Sequence, residues 1–315
     1  MDDGSENPEI VSRFEKLDFL SLWKGREKVD QVEKQILSLF LKKTDGRRIL
    51  ELGTGNGRLT SIVQKYSWEY IGVDINKSFL LEARARFHQN RAIFIASNLY
   101  HLPFTDSSVS SIVMIRVFNF ASQPLQVIRE LSRVIAPGGF LIISVNPKPS
   151  LATLVDDIKH HAYNENPSLR KLKSVTFSRE NTSQIFPASF TTFAHKRKFI
   201  RHLFKTNGFM ECMRISSGLE DYSFLKFLPM KFFLAIGSIF HKFSLFPTTF
   251  FLLQKKGTLK ESFPATLDIL QCPRCGSGLP NRGPDLACGK CGTSYKMDDD
   301  ILDMTYLPEE AKIAE

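Results

Sequence analysis

The sequence predicts an α/β protein, a doubly wound and mostly parallel sheet followed by a small C-terminal cysteine module. Three observations carry that expectation. Short apolar runs alternate with amphipathic helical segments from residue 48 onward, a rhythm that builds a parallel sheet covered by helices. A glycine-rich turn, "LGTGNG", stands between the first such run and the helix after it. Four of the five cysteines fall in two C-x-x-C pairs between residues 272 and 291.

The elements follow in order. Val29, Val32, Ile36, Leu37, Leu39 and Phe40 recur at helical spacing across 28–43, and "TDGRR" breaks the pattern. "RILEL" reads as a buried strand, "RLTSIVQKY" as a helix, "YIGVDIN" as a second strand, "KSFLLEARARFHQN" as a helix and "AIFIASN" as a third strand. "SSIVMIRVFNF" reads as a fourth strand, "PLQVIRELSRVIAPGG" as a helix closed by a turn, and "FLIISVN" as a fifth strand. Residues 151–220 are less regular. "KRKFIRHLFKTNGF" reads as a helix ending at Gly208 before a strand, "MECMRIS". Residues 222–243 are rich in Phe, Leu and Lys and read as one or two amphipathic helices, and "TTFFLLQKK" reads as a last strand. The expected division is a large domain over 1–256 with inserts at 146–210 and 220–246, a linker over 257–266 and the cysteine module over 267–307.

Composition narrows the class. Hydrophobic residues make up 43% and charged residues 24% of the 315, which suits a globular chain with a real core. The start, "MDDGSENPE", has neither the basic nor the apolar region of a secretory signal. The apolar stretches within 232–254 are interrupted by His241 and Lys242, and neither reaches the roughly 18 residues of a membrane span. The expectation is a cytoplasmic protein with no transmembrane segment. The net charge is +9. Its excess lies in 151–265, where Lys and Arg outnumber Asp and Glu about two to one. That balance suits a phosphate-bearing partner or an anionic membrane surface, and equally a solvated basic face.

In "ILELGTGNGRLT" the glycines 53, 55 and 57 let the backbone approach a ligand closely, and the helix beyond exposes free N–H groups. Arg58 stands where the dinucleotide fingerprint requires a third glycine. Asp74, at the end of the second strand, can accept both hydroxyls of a ribose. With "ASNLYHLPF" after the third strand and "RVIAPGGFLIISV" leading into the fifth, the order resembles the class I S-adenosylmethionine-dependent methyltransferases over about 20–256. The resemblance implies their Rossmann-like methyltransferase fold and S-adenosylmethionine as cofactor. It implies Glu51, Gly53, Gly55 and Gly57 around the methionine part, Asp74 on the ribose, Asn98 and Leu99 beside the adenine, and Arg116 facing cofactor and substrate. Asn98 replaces the family's usual Asp, and its side-chain oxygen can still accept from an amine. Asn119 matches another polar position of that region, Phe120 stands where many members carry a histidine, and Trp23 and Arg26 are expected to line the pocket. His101 is a candidate general base, although no catalytic residue is assigned. The "N/D-P-P-Y/F" motif of glutamine and adenine N-methylation is absent, and Cys212 lies in an expected strand away from the pocket.

Cys272, Cys275, Cys288 and Cys291 are spaced C-x2-C-x12-C-x2-C, which offers four thiolates to a tetrahedral structural zinc ion. Gly276 and Gly292 follow the pairs and permit tight knuckles. About forty residues build little core alone, so the metal would hold the module together. "TLDILQCPRCGSGL" and "LACGKCGTSYKMDDDILDMT" resemble the small zinc-ribbon proteins that partner and activate translation-related methyltransferases, from about Thr266 to Leu307. Their usual "Y-P-I-x-D-G-I-P" is replaced here by "YKMDDDILD". The resemblance implies an activator fused in cis; a cap that only stabilises is the other reading.

Three functions remain open. One is methyl transfer to an O, N or C acceptor of a small-molecule or lipid-linked metabolite, with the Phe-rich 222–243 lining an apolar pocket or resting on a membrane surface. Another is methylation of RNA or a translation factor, using "HKRKFIRHLFK", where Lys198, Arg201, His202 and Lys205 share a helix face. A third is a non-catalytic cofactor-binding scaffold. The small molecule is favoured, because no RNA-binding motif beyond charge and ribbon is present.

Overall fold

A ten-stranded mixed sheet, in the order β10-β11-β12-β3-β2-β1-β4-β5-β9-β8, organises the computed structural model of the chain. The structure describes residues 23–87, 92–148, 195–219, 227–239, 246–259, 262–279 and 285–306. Most of the expected insert at 146–210, the expected helical material at 220–226 and 240–245, and parts of the expected linker and module lie outside the described residues.

The chain enters through helix α1 (Glu27–Leu41), which buries Val29, Val32, Ile36, Leu37 and Phe40 on one face. Strands β1 (Arg48–Leu52), β2 (Glu69–Asp74), β3 (Ala92–Ala96) and β4 (Val109–Met114) pair in parallel. Helices α2 (Thr60–Lys65), α3 (Lys77–Phe87) and α4 (Pro124–Val134) connect them and lead into β5 (Ile135–Val145), parallel to β4. Two-residue strands β6 (Pro147–Lys148) and β7 (His195–Lys196) pair with each other. Helix α5 (Arg197–Thr206), β8 (Phe209–Ser217), helix α6 (Met230–Ile239) and β9 (Thr248–Lys255) complete this part. β9 inserts antiparallel between β5 and β8.

Each strand feeds two cores alternately, as the two-residue side-chain period requires. Leu50, Leu52, Ile71, Val73, Ile112 and Met114 pack on the side of α4 and α5. Ile49, Tyr70, Val113, Phe250 and Leu252 pack on the side of α1, α3 and α6. Strand order reverses between β1 and β4, so the cleft of an open α/β sheet belongs above their C-terminal ends.

Two local expectations change. The fourth strand stops at Met114, and Phe118–Phe120 form a 3-10 turn. Arg116 at φ 62° ends the strand conformation, since a side-chain-bearing residue in the left-handed region cannot continue a strand. "IAPGG" is no turn closing the helix. It begins β5, where Ile135 pairs with Val109 across an irregular register. Gly138 (φ 79°) allows that close passage, because a Cβ there would lie 2.5 Å from the Leu259 amide.

The C-terminal module is joined to the sheet directly. Strands β10 (Asp285–Ala287), β11 (Ser294–Asp298) and β12 (Ile301–Asp303) form a meander whose last strand pairs in parallel with β3. Leu302 enters the core on the α4 side and Ile301 the core on the α1 side. Asp299 and Asp300, at φ 48° and 59°, make the tight turn into β12, which fits a two-residue hairpin with both central residues left-handed. The expected linker is packed too. Arg48 donates to the Pro264 carbonyl, and its guanidinium lies 5.7 Å from the centre of the Phe263 ring. Among the described residues no helix is long and apolar enough to cross a membrane.

Candidate functional site

A cleft opens above β1, β2 and β4, lined by Glu51, Gly53, Thr54, Gly55, Asp74, Leu99, Arg116 and their neighbours. The glycine turn forms its floor. The Gly53 amide donates to the Val73 carbonyl at 2.8 Å. Gly53 sits at φ 70°, and a Cβ there would come within 2.0 Å of Val117 Cγ2, so only glycine fits. The Asp74 carboxylate accepts the Gly55 amide at 2.8 Å and the Asn76 amide at 2.9 Å. Burial raises its pKa, while these backbone bonds pull it back down.

Glu51 is buried behind the turn and accepts from Tyr70 Oη at 2.5 Å and Thr60 Oγ1 at 2.9 Å. Burial pushes its pKa up to about 7 against the opposing pull of those two hydroxyls. Glu51 thus braces the glycine turn between β1, β2 and α2.

Trp23, before α1, lines the cleft with Arg58 and Arg116, two arginines that carboxylates of α1 hold in place. Glu33, 1% exposed, accepts Arg58 Nη2 at 3.0 Å and Arg116 Nε at 2.6 Å. Arg58 also donates to Asp30 at 2.8 Å, and its guanidinium stacks 3.7 Å from the centre of the Trp23 ring. Burying Glu33 is compensated by two guanidinium partners, and the pairing fixes Trp23 against the cleft. Arg116 is held further by its amide, which donates to Ser144 Oγ at 2.7 Å.

Glu51, Gly53, Gly55, Asp74, Leu99 and Arg116 therefore meet in one cleft, with Trp23 and Phe120. Gly57 and Asn98 are not among its lining residues. A Cβ on Gly57 would meet Phe87 at 2.7 Å, so this glycine lets α3 pack against the turn. Asn98 is buried; its Oδ1 accepts the Tyr100 amide at 3.0 Å, and its Nδ2 has no partner among the described residues. Arg26 packs on Trp23 instead of lining the cleft. Asn119 is buried and accepts the Asn146 amide at 3.0 Å, fixing the chain's exit from β5. His101 lies outside the cleft, its ring 5.4 Å from Tyr306 and its pKa lowered by burial. Cys212 is exposed on β8. Sequence reasoning missed Glu33 and the role of Arg58. The one available signal was an acid inside the apolar stripe of α1.

The four module cysteines converge, their sulfur atoms all within 4.8 Å of one another. Cys272 and Cys291 Sγ are 3.6 Å apart, and Cys275 and Cys288 Sγ 3.5 Å. Thiolates 2.3 Å from a tetrahedral ion stand about 3.8 Å apart, so the donor set fits zinc. The two knuckles are alike. Gly276 N–H donates to the Cys272 carbonyl at 2.8 Å, and Gly292 N–H to the Cys288 carbonyl at 2.9 Å. Both glycines are left-handed, at φ 71° and 73°. The Tyr295 hydroxyl lies 2.9 Å from Cys272 Sγ.

Residues 50–143 match the family described as "Methyltransferase domain". The biotin biosynthesis bifunctional protein BioHC of Cellvibrio japonicus is 33% identical over 110 residues, 35% of this chain and 22% of that protein. Malonyl-[acyl-carrier protein] O-methyltransferase of Brevibacillus brevis is 26% identical over 202 residues, 59% of this chain and 73% of that protein. The chain spans from 22% to 56% of the length of BioHC and four other curated relatives it matches. Among solved structures, magnesium protoporphyrin IX methyltransferase of Synechocystis PCC 6803 is similar with a TM-score of 0.50 at 14% identity, over 79% of this chain and 96% of that one. The chain has the Rossmann-like fold of S-adenosylmethionine-dependent methyltransferases, and its matched methyltransferase-domain region runs from residue 50 to 143.

Proposed function

We propose that the chain is an S-adenosylmethionine-dependent methyltransferase acting on a small-molecule or lipid-linked acceptor. The observation that carries this reading is the cleft itself. A glycine turn with no room for a side chain at Gly53 and a carboxylate held at the end of β2 line the same cleft. The matched region includes both groups.

When bound, S-adenosylmethionine supplies an electrophilic methyl group on a positively charged sulfur. Gly53 and Gly55 would receive its methionine part, with Glu51 bracing the turn and Gly57 letting α3 pack behind it. Asp74 would accept the ribose hydroxyls, its carboxylate already oriented by two backbone amides. Leu99 would contact the adenine face, and Asn98, behind it, carries a buried amide donor in need of a partner. Arg116 and Trp23 would close the outer side. These residues act by positioning and by excluding water, and orientation alone can supply ~7–11 kcal/mol of a transfer barrier.

Cys272, Cys275, Cys288 and Cys291 would hold one structural zinc ion, four thiolates leaving no open position for catalysis. The module would serve the enzyme in cis, because β12 continues the sheet beside β3. Acyl-carrier-linked acceptors merit inclusion among the candidates, given the O-methyltransferase relative. The RNA reading rests on a different observation, the exposed Lys198, Arg201, His202 and Lys205 on α5.

Incubation of zinc-loaded protein with methyl-labelled S-adenosylmethionine and fractionated small-molecule, lipid and RNA extracts tests this reading. Label entering the small-molecule or lipid fraction, and lost in Asp74→Ala, is the expected result. Label entering RNA alone would overturn the acceptor class.

A further inference from the structure

We propose that helix α6 and the turn leading into it dock on an anionic lipid surface and bring the cofactor cleft to acceptors held there. The proposal rests on the methyltransferase reading, with its lipid-linked acceptor, for its purpose; the docking itself rests on the helix. Seated on β8, α6 (Met230–Ile239) buries only Phe233 and Gly237. These two stand one helical turn apart and face the sheet together. Gly237 fixes the seat, because a Cβ there would lie 2.0 Å from the Ser216 carbonyl oxygen. The opposite side is turned outward. Phe232 is 39% exposed and Ile239 65%, with Ala235 exposed between them. Phe227, in the turn before the helix, is 81% exposed.

This face is tied to the cofactor site. Lys28, in the first turn of α1, donates to the Leu228 carbonyl at 2.6 Å, and its ammonium lies 5.6 Å from the centre of the Phe233 ring. The stretch just before α1 carries Trp23, whose carbonyl accepts the Arg26 amide at 3.0 Å and whose side chain lines the cleft. Phe227 and the start of α6 are therefore fastened to the end of α1 that borders the cleft. Residues 227–239 are not among the cleft's lining residues, so the cofactor pocket makes no use of their apolar side chains.

Charge selects the occupant. Lys231 is the one charged residue of α6; it is exposed beside the apolar stripe and makes no ion pair among the described residues. No acid stands between residues 227 and 239. Lys24, next to Trp23, is exposed as well. Aromatic and aliphatic side chains on such a face enter the acyl boundary, while lysine stems let the ammonium groups stay at the headgroups. Anionic headgroups answer that positive charge. Among the described residues no helix is long and apolar enough to cross a membrane, so the contact is a peripheral one. A second copy of the chain would set the same lysine-bearing, acid-free face against itself.

The test is co-sedimentation of the full-length, zinc-loaded protein with sucrose-loaded vesicles of phosphatidylcholine, with and without phosphatidylserine. The expected result is saturable binding to the phosphatidylserine vesicles and much weaker binding to phosphatidylcholine alone. Phe227→Ser and Phe232→Ser each weaken it about tenfold, as withdrawing one buried aromatic side chain implies. Lys231→Gln weakens it about fivefold, on the anionic vesicles only. Thermal melting and S-adenosylmethionine calorimetry on the same variants show that fold and cofactor site survive. Should Phe232→Ser fail to fold, Phe227→Ser, outside the helix, carries the test. Absence of binding to the anionic vesicles, or binding unchanged in the phenylalanine variants, overturns the proposal. So does a native dimer in sedimentation velocity that Phe232→Ser dissociates, which assigns the face to a second copy. Vesicle binding that depends on Phe227, in a protein that does not bind S-adenosylmethionine, sinks the methyltransferase reading and not the membrane contact. Cofactor binding without vesicle binding does the reverse.

Discussion

The amide of Met304 donates to the carbonyl of Ala96 at 2.8 Å, binding the cysteine module to the strand beside the cofactor cleft. Seven residues further along, the module grips the chain again. Gln271 N–H donates to the Pro103 carbonyl at 3.0 Å, and Thr105 N–H to the Ile269 carbonyl at 2.8 Å. Leu270 bridges Phe104 between them. The segment from Ser97 to Leu102, which carries Asn98 and Leu99, is thus held at both ends by the module. Cys272 and Cys288 belong to the same apolar cluster as Leu102 and Phe104. An intact module should therefore favour cofactor binding, and the cofactor should favour the module.

Metal removal tests this coupling. Cys275→Ser is expected to lose about one equivalent of zinc and to weaken S-adenosylmethionine affinity about tenfold or more, read by calorimetry. The reciprocal measurement is zinc release to a chromogenic chelator, expected to slow when S-adenosylhomocysteine is present. Equal cofactor affinity in the native and metal-free proteins would break the link.

The glycine turn gives a paired comparison. Gly25 and Gly53 both have positive φ, 78° and 70°, yet a Cβ meets nothing within 4 Å at Gly25 and meets Val117 at 2.0 Å at Gly53. Gly25→Ala should cost only backbone strain, about 1 kcal/mol. Gly53→Ala should add overpacking of about 1–3 kcal/mol and abolish measurable cofactor binding. Urea denaturation and calorimetry separate the two effects.

Glu51 predicts a pH dependence. Its folded pKa of about 7 stands above the ordinary 4.5, with burial the largest cause. Between those values the unfolded chain releases the proton and the folded chain keeps it, so stability falls as pH rises through that window. The contribution is up to about 3 kcal/mol, at 1.36 kcal/mol per unit. Glu51→Gln should flatten this slope between pH 5 and pH 8 in urea titrations of the cofactor-free protein.

Trp23 supplies an optical reporter. The chain has two tryptophans, and Trp68 is 90% exposed, whereas Trp23 stacks on Arg58 at the cleft. Cofactor binding should change the emission of the native protein and of Trp68→Phe, but not of Trp23→Phe. Glu33→Gln, which leaves Arg58 and Arg116 without their shared carboxylate, should blunt the change and destabilise the fold by about 1–3 kcal/mol.

Much of this was legible because the signals are local. The alternation of buried strand and amphipathic helix marked β1 through β5, and the glycines at 53 and 55 with Asp74 marked the cleft. Cysteine spacing brought four sulfurs together without any knowledge of the sheet. What escaped was long-range. Nothing in "YKMDDDILD" says that Ile301 and Leu302 would extend the main sheet beside Phe94 and Ile95, since strand partners are chosen by tertiary packing. Glu33 stands inside the apolar stripe of α1, and helical spacing says nothing of its partners Arg58 and Arg116, 25 and 83 residues away. Gly57 looked like a ligand-facing glycine, yet its missing side chain makes room for Phe87.

The most direct measurement is calorimetric titration of the zinc-loaded protein with S-adenosylmethionine, beside Asp74→Ala. The account predicts one site per chain, weakened at least about tenfold in Asp74→Ala through loss of a charge-assisted pair of hydrogen bonds. Failure of the native protein to bind, or equal affinity in Asp74→Ala, would contradict it.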